Sequence, residues 1–478
     1  MAEYFFHGPE VIEVSDGIRP IKVPKSSIIC VFGTAPDADP ALWPLNEPVL
    51  LLSQPRKAAT LGAAGTLYDA IRQIHAEKGA TIVVIRVAEG ATTAETMSNL
   101  VGDPTLRTGV WAALKARPTV KVTPRILIAP GFTSQRPTDG VASITLTDDG
   151  DDYTSAPAVA IAGGGGSGAT AVATVNGGKV VAVTVVEHGS GYTAAPTVTF
   201  SGGGGAGATA TAVLGTVRNP VLSAMAAVSK RLRAVTPFDV GLGTIEAAVD
   251  AREDWASDRL FSLYGGVKVW DTTLNAYVDR PAAASIAGLI ARIDTERGFW
   301  HSPSNNELLG IGGPSIPVDW ALGDTESEAN YLNEHAVNTI IQIGGDYGGW
   351  RLWGNRTCAD DPLWVFLSVR RTADMVYEAL EEAFIWMTDK PFSPQLLLDG
   401  AERVNRFFKY LVREGALVGG SCWIDPERNT SAQLQQGIVA FDVDLEPPAP
   451  MEHIKIYAHR NGDYYDEVIE TVASQIVA

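Results

Sequence analysis

The chain has 478 residues, 46% of them apolar and 19% charged. That length and balance suit roughly two to four packed domains and exclude a disordered chain. Its 37 Lys and Arg against 55 Asp and Glu leave a net charge of −18, so direct binding to nucleic acid or to an anionic membrane surface is not expected.

Cys30, Cys358 and Cys422 are scattered, with no CxxC pair and no His at metal-ligand spacing. No disulfide framework or zinc site is readable, and a reducing compartment is the simpler expectation. The opening MAEYFFHGPEVIEV lacks a basic region followed by an apolar run, so no signal peptide is expected. No stretch of about 18 apolar residues predicts a membrane span.

Residues 1–26 read as an extended arm. Val11, Ile12 and Val14 precede the turn Ser15-Asp16-Gly17, and Ile21 and Val23 alternate with other residue types. This is strand chemistry without a local partner, and buried backbone groups need one. Residues 27–136 alternate strand and helix signals. Ile28–Gly33 and Thr81–Val87 are short apolar runs typical of buried strands, and Leu67, Ile71 and Ile74 between them fall at helical spacing. A helix near Trp111–Lys115 and a strand over Arg125–Gly131 continue the α/β pattern.

Composition then shifts. Residues 137–217 are dominated by Gly, Ala, Thr and Val and contain a repeat: 150–175 matches 188–214, with Tyr153 against Tyr192, Pro157 against Pro196, and Gly163–Gly166 against Gly202–Gly205. Asn176-Gly177-Gly178 between apolar runs is a hairpin signal. The block reads as an all-β insertion of two similar units.

Over 218–365 α/β patterning resumes. A helix is expected over Val221–Val235, another opening at Arg280-Pro281, and a third after the capping-box spacing Thr325–Glu328. A loop at Asp360-Asp361 is expected to lead into a strand over Leu363–Val369. From 366 to 465, helices are expected over Thr372–Thr388 and after Ser393-Pro394, the latter ended by Gly415. Val439, Phe441, Val443 and Leu445 alternate with polar or small residues as a strand, with Ile454 and Ile456 as its expected partner. The last segment, 466–478, reads as a second arm with strand character, carrying Val468, Ile469, Val472, Ile476 and Val477.

The motifs that could carry chemistry fail on context. Gly163-x-Gly165-x-x-Gly168 and Gly202-x-Gly204-x-x-Gly207 match the dinucleotide fingerprint. That fingerprint needs a helix directly after the glycines to hold the pyrophosphate. Strand-like Ala, Thr and Val follow instead, with no Gly-Lys-Ser/Thr. Asp148–Asp152 lacks EF-hand spacing and reads as a solvated turn. No HExxH or GxSxG is present. No catalytic, cofactor or metal residues are assigned. The polar face of the helix 394–414, with Asp399, Glu402, Arg403, Arg406, Lys409 and Arg413, reads on periodicity alone as a solvated stripe.

Several segments together resemble the contractile tail sheath family of temperate myophages and R-type pyocins. They are FFHGPEVIEVSDGIRPIKVPKSSIICVFGTAP (5–36), PVLLLSQPRKAATLGAAGTLYDAI (48–71), PRILIAPGFTSQ (124–135), NNELLGIGG (305–313), SVRRTADMVYEALEEAF (368–384), the helix 394–414 with GALVGGSCWID (415–425), and MEHIKIYAHRN (451–461). The resemblance spans nearly the whole chain apart from 137–217. It implies a multidomain α/β (α+β) fold: an inner, tube-proximal domain from both chain ends, a middle α/β domain, and here an inserted all-β glycine-rich domain. It implies that both arms complete sheets in neighbouring subunits, and that Asp399, Glu402, Arg403, Arg406 and Lys409 face an inner tube. The implied partners are further copies in hexameric rings stacked helically, the inner tail tube protein, and the baseplate and tail terminator proteins. The implied location is the virion tail, and the host cytoplasm during assembly. No cofactor is implied. Two rival readings are an α/β enzyme with a glycine-rich binding region and a surface-binding decoration protein.

Overall fold

The computed structural model describes residues 21, 23–344 and 348–476. Val11, Ile12, Val14 and Val477 lie outside them. The chain divides into residues 1–448 and 449–478.

The first unit is organised around strands that the sequence makes apolar on both faces. β1 (Ile28–Thr34) is buried at every position. β2 (Pro48–Leu52) follows, then a short α1 (Pro55–Ala59), α2 (Leu67–Ala76), β3 (Thr81–Val87), α3 (Thr93–Val101), a 3-10 turn over Gly109–Lys115, α4 (Ala116–Val120) and β4 (Ile126–Ile128). The expected Trp111–Lys115 helix thus takes the tighter 3-10 form. β3 and β4 flank β1 in parallel, and β2 closes the edge antiparallel to β3. Alternation sends Ile29, Val31, Ile82 and Val84 to one core, and Ile28, Cys30, Phe32, Val83 and Ile85 to the other. Burial on both faces explains the unbroken apolar runs.

Between β4 and α5 (Pro220–Leu232) stands a six-stranded antiparallel sheet. Its strands are β5 (Gly140–Asp148), β6 (Ala158–Ala162), β7 (Ser167–Asn176), β8 (Lys179–Ser190), β9 (Thr197–Ser201) and β10 (Thr209–Gly215), in the order β5-β10-β9-β6-β7-β8. The expected hairpin turn at Gly177-Gly178 joins β7 to β8, both glycines having positive φ. The repeat extends over the whole sheet: residue n of 140–178 matches residue n + 39 of 179–217, as in Tyr153 and Tyr192. The two units relate by an internal two-fold, since exchanging β5 with β8, β6 with β9 and β7 with β10 reverses the strand order onto itself. Hydrogen bonds obey the same symmetry. Thr154 N–H donates to Gly203 O (2.9 Å) and Thr193 N–H to Gly164 O (2.8 Å). Tyr153 N–H donates to Gly178 O (2.9 Å) and Tyr192 N–H to Asp139 O (3.0 Å), each acceptor being the residue just before a unit. A Cβ on Gly164 would lie 2.3 Å from Ala194 O, and one on Gly203 2.7 Å from Ser155 O, so both glycine runs are required by close backbone contact.

The remaining α/β part extends the first sheet. β11 (Thr236–Asp239) joins β4 through Leu127 N–H to Val235 O, 2.9 Å. After α6 (Ile245–Glu253), β12 (Leu260–Leu263) pairs parallel to β11. β13 (Gly266–Asp271), β14 (Ala276–Pro281) and β15 (Ile311–Pro314) form an antiparallel sheet. α7 (Ala283–Glu296) packs on α2, and a Cβ on Gly288 would meet the Glu77 Cβ at 2.9 Å. α8 (Glu328–Glu334), β16 (Thr339–Gln342) and β17 (Trp350–Trp353) complete this part. The helix expected to open at Arg280-Pro281 is α7, which starts two residues later; Pro281 itself ends edge strand β14, a position where its missing N–H is tolerated. Ser327, not Thr325, is the N-cap of α8, and its side chain makes no cap bond.

α9 (Leu367–Phe384), α10 (Pro394–Glu414), β18 (Gly419–Trp423), α11 (Ser431–Gln435) and β19 (Asp442–Glu446) finish the first unit. The strand expected over Leu363–Val369 is absent: Asp361 caps the Leu363 N–H at 2.9 Å, and the chain turns helical from Leu367. Ser393 Oγ accepts the Leu396 N–H, and Gly415 closes α10 at φ +82°. The second unit contains α12 (Tyr464–Ile476).

Candidate functional site

Among the described residues, α9 holds the densest buried charge. Asp374 receives Arg259 at 2.6 and 2.9 Å and Arg370 at 2.9 Å. Arg370 also reaches Asp258 at 3.2 Å and stacks on Trp364. Arg371 pairs with Asp294 (2.7 Å), Arg125 with Glu378, and Arg233 with Glu381 (2.8 Å). The hydrogen bond from Arg233 holds the Glu381 carboxyl below its ordinary value. Positions 370, 374, 378 and 381 recur at helical spacing along one side of α9, so this ladder joins the helix to the α/β sheet.

α10 buries Gly400, Val404, Phe407, Phe408 and Leu411. Asn405 exchanges two 2.8 Å hydrogen bonds with the Cys422 backbone, tying the helix to β18. The opposite side carries the residues singled out from sequence. Glu402, Arg406 and Lys409 are exposed, together with Tyr410 and Arg413. Asp399 is half-buried and accepts from Gln395 Nε2 at 2.7 Å. Arg403 is drawn away: its guanidinium sits 5.9 Å from the Trp386 ring, and burial lowers its pKa. Among the described residues β18 and β19 pair only with each other. The expected partner of the 439–445 strand is therefore corrected. β18 fills that place, while Ile454 and Ile456 are exposed and in no regular element.

The described arm residues behave differently from one another. Ile21 and Val23 lie in no strand and are half-buried, against the cluster that includes Met375 and Phe408. The reading of 466–478 as a strand is corrected over the described residues, where α12 runs to Ile476. Val468, Ile469, Val472 and Ile476 share one helical face by spacing, no Gly or Pro interrupts α12, and Asp466 and Glu467 occupy its favourable first turn. All four apolar side chains are exposed.

The glycine runs are followed by strands β7 and β10, not helices. Asp149 and Asp151, just after β5, pair with Lys179 at the start of β8. The buried ladder on α9 was missed from sequence, and only the helical recurrence of its charges could have signalled it.

Family models for the phage tail sheath protein central domain and the phage tail sheath C-terminal domain match residues 202–358 and 359–459. A prophage major tail sheath protein of Pseudomonas aeruginosa (strain UCBPP-PA14) is 30% identical over 470 residues, covering 98% of this chain and 99% of the relative. The chain belongs to the phage tail sheath family. The tail sheath protein of Escherichia phage P2 is 28% identical, covering 99% of this chain and all of that one. The fold agrees with solved sheaths as well: that of an extracellular contractile injection system in its contracted state matches with a TM-score of 0.57 at 16% identity, covering 97% of this chain and 100% of the other. The tail sheath family is structural, and the chain is a tail sheath protein.

Proposed function

We propose that copies of this chain stack as hexameric rings, helically, around an inner tail tube, and contract to drive that tube through the host envelope. Collinearity with tail sheath proteins over nearly the full length carries this reading. The sleeve is held between baseplate and tail terminator proteins in the virion tail, after assembly in the host cytoplasm. No nucleotide is consumed; the work comes from the free-energy difference between two packings of the same subunits.

The surfaces fall into place on this reading. Residues 366–465 form the tube-proximal domain, and 27–136 with 218–365 form the outer α/β domain. The face of α10 bearing Glu402, Arg406 and Lys409 meets the tube through charge contacts weak enough to release. The two-stranded β18–β19 sheet is marginal alone and accepts strands from neighbouring copies. Residues 1–26 and 466–478 are those tethers. α12, a 13-residue helix, is short enough to be marginal without packing, so its exposed Val468, Ile469, Val472 and Ile476 are free to be re-paired in the polymer. The glycine-rich module stands on the outside, where large insertions are tolerated.

Negative-stain microscopy of the purified chain tests this directly. Striated sleeves are expected from the full chain, and folded but non-polymerising subunits after removal of 466–478. Absence of any polymer from the full chain, or contractile sleeves from the truncated one, contradicts the function or the tether respectively.

A further inference from the structure

The parallel part of the main sheet leaves a crevice at its carboxyl end. β1 lies at the point where the strand order reverses, with β3 on one side and β4 on the other. In open α/β sheets the space beyond the carboxyl ends of the strands at such a point is where ligands bind. Here it is a cavity of about 480 Å³, within the ordinary size range of small-molecule pockets.

Its walls are polar. Thr34 ends β1, lines the cavity and is only 1% exposed. Thr66 and Thr93 add two more hydroxyls at the starts of α2 and α3. Gln135 donates from Nε2 to Gly131 O at 2.6 Å, and its Oε1 is buried and unpaired. Glu89 stands at the rim and Phe132 supplies an aromatic wall. Gly65, at φ +87°, also lines the cavity; a Cβ there would come 2.3 Å from Thr34 O, so close backbone packing requires glycine. Unsatisfied buried polar atoms are costly and call for a partner.

Charge selects the ligand class. The starts of α2 and α3 each bring roughly half a positive charge. Glu89 at the rim and Glu95, whose carboxylate accepts the Ala91 N–H at 2.7 Å, outweigh them. No Lys or Arg lines the cavity. Phosphates and carboxylates are therefore disfavoured. Three hydroxyls, a carboxamide, a carboxylate and one aromatic ring complement a neutral ligand with many hydroxyls and an apolar ring face. We propose that this crevice is a binding site for a neutral saccharide of one or two sugar units.

The test is titration of the full-length chain, by calorimetry and saturation-transfer NMR, with glucose, mannose and N-acetylglucosamine, and with inorganic phosphate and ADP as anionic controls. At least one sugar should bind and neither anion should compete. Thr34→Val and Glu89→Gln should each weaken the sugar by about tenfold or more, and Glu187→Gln, on the glycine-rich module, should not. Should Thr34→Val fail to fold, Glu89→Gln at the exposed rim still decides. No sugar binding, preference for phosphate, or binding indifferent to both crevice substitutions overturns the proposal.

Discussion

The main α/β sheet and the glycine-rich module solve the same problem, packing a β-sheet, by opposite means. β1 is buried at all of its positions between two large cores, so side-chain volume fixes the arrangement. β7 alternates between exposed and partly buried residues, and its module has only two small clusters, one around Tyr192 and one around Tyr153. What specifies the module is backbone: glycines at positive φ, and reciprocal hydrogen bonds that make each 39-residue unit complete the other. The sheet should therefore be sensitive to lost volume and lost charge partners, and the module to changes that break its internal symmetry.

The largest expected effect lies on the side of the sheet. Asp374→Ala leaves Arg259 and Arg370 buried without their shared carboxylate. Denaturant titration should show a loss of about 3–5 kcal/mol, in the transition of the α/β part. A loss no larger than that of a surface substitution would mean the ladder is not a structural joint.

Next in size is a symmetry test within the module. Tyr153 and Tyr192 are each 5% exposed and occupy equivalent places. Tyr153→Ala and Tyr192→Ala should each cost about 3 kcal/mol, equally, and calorimetry should place both losses in the module's transition alone. Unequal costs would show that the docking of β8 beside α5, where Ser223 Oγ donates to Glu187 at 2.8 Å, governs one unit more than the symmetry does.

A third effect is pH-dependent and confined to the sheet. Asp239 Oδ1 accepts the Ala282 and Ala283 N–H groups at the start of α7, and its Oδ2 is buried without a partner. Burial lifts this carboxyl from 3.8 to about 7. Between those values the folded chain holds a proton that the unfolded chain has released. The contribution to stability is complete below the unfolded value and is lost as pH rises through the folded one. Asp239→Asn keeps an acceptor for α7 and should flatten the stability profile over that window, by up to ~1.4 kcal/mol per pH unit. An unchanged profile would assign the slope to other groups.

The smallest effect on stability comes from α10. Reversing Asp399 and Glu402 to Lys should change stability by under about 0.5 kcal/mol, while weakening co-assembly with tube more than self-assembly, read by co-sedimentation. Equal loss of both would make the face merely structural.

The two regions were unequally legible in sequence. The buried strands announced themselves as apolar runs, and the Gly177-Gly178 turn and the tyrosine repeat were plain. The interlocking of the repeats was not, because it rests on backbone hydrogen bonds that leave no side-chain signature. The α9 ladder escaped because its partners Arg125, Arg233, Asp258, Arg259 and Asp294 are remote in sequence from residues 370–381. α12 was misread because five apolar residues in a short segment fit a loose strand as well as a helical stripe. Pro281 misplaced the start of α7 by two residues because the same fixed φ suits a helix start and the end of an edge strand.

The central claim is that the α/β and C-terminal parts assemble while the module rides outside. Joining Gln135 to Arg218 through a short Gly/Ser loop and imaging the product by negative stain tests it most directly. The account predicts sleeves with the axial repeat of the full chain and a smaller outer diameter. A folded subunit that no longer polymerises, under conditions where the full chain does, would contradict it.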